Sequence, residues 1–152
     1  QTCALPISPA VLDSLCCQIP VDAWTRKPGL EEWCLTEVIC HLRDVELEVN
    51  LPRFEKVLSE DNPFISGKDT DRWAHERDYF NQDGMQALHE YISARKKVLE
   101  ILDNLPMDDW NLPARHAIFG PTRLLELAGI QASHDRVHVQ QVLNLQKFLK
   151  HP

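Results

Sequence analysis

The sequence lacks the features that would suit it to a membrane, to nucleic acid or to a sheet. No run of about 18 apolar residues occurs, so a membrane-spanning helix is not expected. The opening QTCALPISPAV has no basic stretch followed by an apolar one, so no secretory leader is read there. It has no initiator methionine either, as expected of a trimmed chain. There is no basic stripe: 16 Lys and Arg stand against 23 Asp and Glu, giving a net charge of −7. A polyanion would be repelled, which argues against nucleic acid as a partner. Only five glycines are available for tight turns, strand-like alternation is weak, and no internal repeat is found. None of the cysteines (Cys3, Cys16, Cys17, Cys34, Cys40) are spaced as C-x-x-C, and their number is odd. That pattern fits reduced thiols in the cytoplasm, used as small buried apolar residues, better than a disulfide framework.

What is present is helical rhythm. The 152 residues, 43% of them hydrophobic, suffice for one domain, 1–152, with its own core. A first helix is expected over about Pro9 to Gln18, with Ser8 as cap and Val11, Leu12 and Leu15 as its stripe. A second starts near Cys34, which holds the cap position of a capping box completed by Glu37. Leu35, Val38, Leu42, Val45 and Val49 share its inner face, and Pro52 should kink or end it. A short helix is expected near Arg72 to Tyr79. A third long helix runs from about Gly84 to Asn104 under an Asp83 cap, with Gln86 reaching back. A fourth runs from about Arg123 to Leu149 with Thr122 as cap. Four amphipathic helices and no strands predict an all-α four-helix bundle.

The last helix carries QASHDRVHVQQ, with His134 and His138 four residues apart. At about 100° per residue, both lie within about 20° of the line through Leu127 and Leu145. They therefore point inward. Such a pair reads either as core histidines bonded to Ser, Gln or backbone, or as two ligands of a metal ion, as in H-E-x-x-H helices. A third imidazole is available from His41, on the core-facing flank of the second helix. His75 and His89 have polar or charged neighbours, His151 is terminal, and His116 lies in a loop from which it can reach the bundle mouth.

Four elements occur in order: a Trp before a helix, E-x-x-x-H-L-x-D-x-E (Glu37 to Glu46), H-x-x-F-G (His116 to Gly120) and H-D-x-x-H (His134 to His138). Together they resemble the DinB/YfiT-like family of metal-dependent enzymes over about Pro20 to Gln141. The resemblance implies an up-down-down-up bundle and a divalent metal, zinc or nickel, on His41, His134 and His138. The chain departs from the family at Cys34, where Ser is more usual; this concerns the cap and not the ligands.

Three protein ligands leave a position open for water or a thiol, either of which a divalent ion turns into a nucleophile. The favoured expectation is a metal-dependent thiol S-transferase using a low-molecular-weight thiol co-substrate. A metal-dependent hydrolase is the alternative. A non-catalytic metal- or ligand-binding bundle, and a bundle with no metal at all, are the readings of another class. His116, Glu48 and Asp44 are the candidates for catalytic or substrate-contacting groups, with Asp44 expected toward the exposed edge of its helix and Asp135 turned away from the core. The expected partner is a small-molecule substrate. A homodimer through helix faces is compatible with the resemblance.

Overall fold

The computed structural model describes residues 4–150, so Cys3 and His151 lie outside the described residues. Its long helices are α1 (Ala4–Cys16), α2 (Leu35–Val45), α3 (Leu51–Ser59), α5 (Gly84–Asp103) and α6 (Leu124–Lys150), with a short α4 (Trp73–Glu76). A π-helical turn, Glu46–Asn50, joins α2 to α3, so they form one continuous rod.

Chain direction follows from what meets at each end. Gly84, at the start of α5, abuts Trp24 and Thr36 at the start of α2, so those two helices run parallel. The segments after α3 and after α5 pair in one sheet beside the start of α6, so α6 runs against both. Leu5 of α1 sits at the level of Asp135, and Leu15 at the level of Gln146, so α1 and α6 are parallel. The bundle is up-down-down-up.

Two prolines behave differently from expectation. Pro9 was expected to open α1 but stands inside it. The Leu5 carbonyl that its missing N–H leaves free instead accepts from Arg95 Nη1 at 3.2 Å. Pro52 does not end the helical run but stands in the first turn of α3. The π turn absorbs it, and the Glu48 carbonyl four residues before it accepts from Lys68 Nζ at 2.9 Å. Caps came closer to the sequence reading. Cys34 is the N-cap of α2, and Glu37 takes its backbone N–H at 2.8 Å. Asp83 caps α5 by accepting from Gln86 N at 3.0 Å, while the Gln86 side chain turns forward to Glu90.

The expectation of no strands is corrected. Phe64–Ile65 (β1) pairs in parallel with Pro113–His116 (β2), which pairs antiparallel with Gly120–Arg123 (β3). Gly120, at φ +71°, allows the reversal. Strands this short leave no alternation long enough to read. The short helix expected near 72–79 is split into α4 and a 3-10 turn, Tyr79–Asn81.

The core has two apolar clusters separated by a polar layer. One gathers Leu12, Trp24, Leu35, Ile39, Leu42, Leu88, Tyr91, Val142 and Leu145. The other gathers Leu5, Phe54, Val57, Val98, Leu102, Leu124 and Leu127. Between them on their helices stand Ser8, His41, Glu46, Arg95, Gln131, Asp135 and His138, all buried. Asp135, expected to face away, is 0% exposed, because α6 packs on α1 and α2 together and so buries more than one face. Asp44 is likewise buried, under α4 and the Tyr79 turn.

Close packing at the α5 start yields one prediction. A Cβ on Gly84 would come within 2.7 Å of the Trp24 ring and 3.1 Å of Thr36 Oγ1, and Trp24 is buried. Gly84→Ala is expected to destabilise the fold by about 1–3 kcal/mol despite alanine's better helix propensity. Thermal unfolding followed by circular dichroism checks this; an unchanged or higher midpoint contradicts it.

Candidate metal centre

His41 reaches the bundle interior from α2, and His134 and His138 from successive turns of α6. One nitrogen from each ring lies within 4.8 Å of the other two. His134 Nε2 is 3.3 Å from His41 Nε2 and 3.1 Å from His138 Nε2. Ligands about 2.0–2.1 Å from a tetrahedral zinc are separated by about 3.3 Å, so the spacing suits a shared cation.

The protonation chemistry points the same way. Burial lowers the His41 pKa to about 3, aided by the neighbouring His138 and His134 rings, while Asp44 and the Thr70 backbone oppose the shift. Burial lowers His134 to about 4, with His138 again adding to it. His138 is lowered by burial, partly offset by Gln141 and the more distant Asp135 and Asp71. Neutral rings present lone pairs, as a metal ligand must. The His138 Nδ1–H donates to Gln141 Oε1 at 2.8 Å, which turns its Nε2 lone pair toward the other two rings. His134 Nδ1 has no such partner, and His41 has the Thr70 backbone beside it. One His134 nitrogen cannot serve two imidazole neighbours by hydrogen bonding alone, whereas a cation among the three satisfies all of them.

The unfolded chain takes up protons on these histidines near pH 6.5, and the folded chain on His41 and His134 only near 3 to 4. Between those values the unfolded state binds more protons, so stability rises with pH. Metal-free protein is therefore expected to lose stability as pH falls below about 6.5, continuing to about pH 3. The His41→Ala variant should show a shallower loss. Urea unfolding across pH measures this, and equal slopes for the two proteins contradict it.

Around the triad, Trp33 packs against His41 with ring centroids 5.0 Å apart and lies nearly parallel to His138 at 6.5 Å. His138, Gln141, Trp33, Asp71 and Phe148 line a cleft of about 520 Å³. A larger groove of about 830 Å³ runs between α1 and α6 around Ile7, Val11 and Val137, away from the three rings.

The other candidates lie elsewhere. Asp44 accepts from Arg43 Nε at 2.7 Å, Tyr79 Oη at 2.7 Å and Arg77 Nη1 at 2.5 Å. Burial pushes its pKa up, but those donors outweigh burial and hold it low. Glu48 is gripped by Arg77 at both oxygens, which lowers its pKa. Carboxylates so engaged are poor proton acceptors and serve to clamp α4 to the π turn. His116 is not in a loop but in β2, where it is 3% exposed, and its Nδ1 accepts from Ile118 N at 3.1 Å.

The sequence reading missed Arg95. Its guanidinium, 1% exposed, donates to Glu46 at 2.6 and 2.9 Å and to Asp135 at 2.5 and 2.9 Å. Glu46 also accepts from Gln131 Nε2 and Asn50 Nδ2. This network directly adjoins the triad, since Asp135 follows His134. A signal was present: Tyr91, Ala94, Arg95 and Val98 have the spacing of one buried helical face.

A family model described as the DinB superfamily matches residues 4–142. The chain belongs to the DinB superfamily. Among relatives of this superfamily chain, a protein of Bacillus cereus strain AH820 is 28% identical over 118 residues. That match spans 77% of this chain and 66% of the relative. A protein of Bacillus anthracis strain CDC 684 / NRRL 3495 matches to the same extent. Both are provisionally named metal-dependent hydrolases. The chain thus spans 66% of the length of these curated relatives. A solved structure of YfiT from Bacillus subtilis superposes with a TM-score of 0.84 at 19% identity, over 98% of this chain and 85% of that one. Its description is a probable metal-dependent hydrolase with an unusual four-helix bundle topology. Among the described residues of this DinB chain, no helix is long and apolar enough to cross a membrane.

Proposed function

We propose that this chain is a metal-dependent hydrolase acting on a small molecule, with a divalent ion held by His41, His134 and His138. The observation that carries the reading is the convergence within 4.8 Å of three imidazoles, two buried and one half-buried. When bound, such an ion supplies Lewis acidity and makes water nucleophilic near neutral pH. Imidazole donors suit zinc and nickel alike. Gln141 orients His138, Trp33 shields the rings from bulk water on one side, and the cleft beside His138 admits a small substrate. Among the described residues three cysteines, Cys16, Cys34 and Cys40, are free and buried, with thiols pushed up by burial to about 12, about 11 and about 12. They are inert at neutral pH and suited to a reducing compartment such as the cytoplasm. No described side chain around the triad singles out a thiol co-substrate, so hydrolysis is preferred to thiol transfer.

Zinc- and nickel-loaded protein should be assayed against chromogenic esters, amides and phosphoesters, beside His134→Ala. Turnover that falls at least about 100-fold in the variant, with its helical content intact, supports the reading. Turnover that survives both the substitution and chelation of the metal contradicts it.

A further inference from the structure

Arg53 on α3 is half-buried, yet among the described residues its guanidinium has neither a carboxylate nor any other acceptor. The other buried or half-buried arginines differ. Arg43 and Arg77 are matched to Asp44, and Arg95 to Glu46 and Asp135. Burial alone pulls the Arg53 pKa below the usual arginine value, and nothing is there to restore it. A guanidinium keeps its proton regardless, so its five donors meet no protein acceptor and are left to water or a bound anion.

A second unmatched donor is the ring of His116, whose strand neighbour Ile65 lines the pocket beside Arg53. His116 Nδ1 accepts from Ile118 N, so the neutral ring carries its proton on Nε2. That Nε2 is buried and without a partner. Burial, and then the positive charge of Arg53, lower the His116 pKa, and the same guanidinium contributes to the lowering of His134. Arg53 is therefore within electrostatic reach of both His116 and one member of the triad. A pocket of about 170 Å³ adjoins it, lined by Arg53, Lys56, Lys68, Ser66, Val49 and Ile65 among others. Ile65 pairs with His116 across the sheet. The two lysines donate to backbone carbonyls, of Phe64 and Glu48 respectively. The carboxylate at the pocket, Glu48, is already taken up by Arg77. The lining of this pocket carries three cations and one carboxylate, and that carboxylate is already engaged by Arg77.

We infer that Arg53 and His116 form a subsite for an oxyanion, the carboxylate or phosphate group of the substrate, on the α3 flank of the three histidines. That the anion belongs to a substrate rests on the proposed function; that the pocket binds an oxyanion does not. An arginine fork and an imidazole N–H are the donors that recognise such groups.

Metal-free protein should be titrated with inorganic phosphate and, separately, with acetate. Binding is read by calorimetry and by the ¹⁵N shift of the His116 ring, in wild type, Arg53→Met, Arg53→Lys and His138→Ala. Saturable binding of at least one anion is expected, moving the His116 Nε2 resonance. The tighter of the two identifies the group. Arg53→Met should weaken binding at least tenfold, and Arg53→Lys should weaken it less. Because Arg53→Met removes a half-buried charge that has no protein partner, it should melt no lower than wild type. His138→Ala should bind the anion as wild type does. If that variant fails to bind metal and anion binding persists, as expected, the two sites are separable; if no metal binds even to wild type, only the hydrolase reading falls. Absence of binding by either anion, or binding unchanged in Arg53→Met, overturns the inference.

Discussion

Replacing Arg95 by methionine is expected to destabilise the protein by about 3–5 kcal/mol, the largest single loss of stability anticipated for a residue outside the triad. Arg95 is one cation between two carboxylates, Glu46 and Asp135, and all three side chains are 1% exposed. Burial tends to lower its pKa, but hydrogen bonds to Asp135 and Glu46 reverse that and raise it. Methionine fills similar space and so isolates the electrostatic loss: buried Glu46 keeps only Gln131 and Asn50 as donors, and buried Asp135 loses both of its bonds to Arg95. The Leu5 carbonyl freed by Pro9 also loses its partner. The cost should therefore come from the groups left behind. Adding Glu46→Gln and Asp135→Asn to Arg95→Met should recover a substantial part of it. Urea unfolding of wild type, Arg95→Met, the Glu46→Gln/Asp135→Asn double variant and the triple variant measures the cycle. Loss below about 1 kcal/mol in Arg95→Met, the range of exposed pairs, would contradict the network's assigned role.

His41→Ala is expected to have the largest effect on metal affinity. It removes the one proposed ligand on α2 and leaves an i, i+4 pair on α6. Loss of an outer hydrogen-bond partner typically weakens metal binding by about 10–100-fold, and loss of a ligand should exceed that range. Gln141→Leu provides the comparison, because it keeps all three rings and removes only the acceptor at His138 Nδ1. The expected order of affinity is wild type, then Gln141→Leu, then His41→Ala, measured by competition with a chromogenic chelator. His41→Ala should keep its helical content, since the two apolar clusters do not depend on this ring. Affinity of His41→Ala equal to wild type would remove His41 from the site.

Long stripes with local caps were legible in the sequence. The α5 boundaries follow from Asp83 and the stripe that begins at Leu88, and α6 was found almost to the residue. His134 and His138 were legible because their spacing matches the helical repeat, and His41 because its helix has a clear apolar face. Features that depend on distant partners were not legible. Pro9 and Pro52 read as boundaries because their lost hydrogen bonds are answered by Arg95 and Lys68, far away in sequence. Asp135 and Asp44 read as solvent-facing because one helix in isolation shows a single buried face, whereas α6 and α2 each meet several neighbours. The three strands are too short to alternate visibly, so His116 was read as a loop residue instead of one held in register opposite Ile65. Arg53 gave no sign at all. Its interest lies in what it fails to meet, and that exists only in three dimensions.

The most direct measurement of the central claim is elemental analysis of the purified protein beside His138→Ala, repeated after reconstitution with zinc and with nickel. The account predicts near-stoichiometric metal in the parent and its loss in the variant. Equal metal in both, or no metal in the parent after reconstitution, would contradict it.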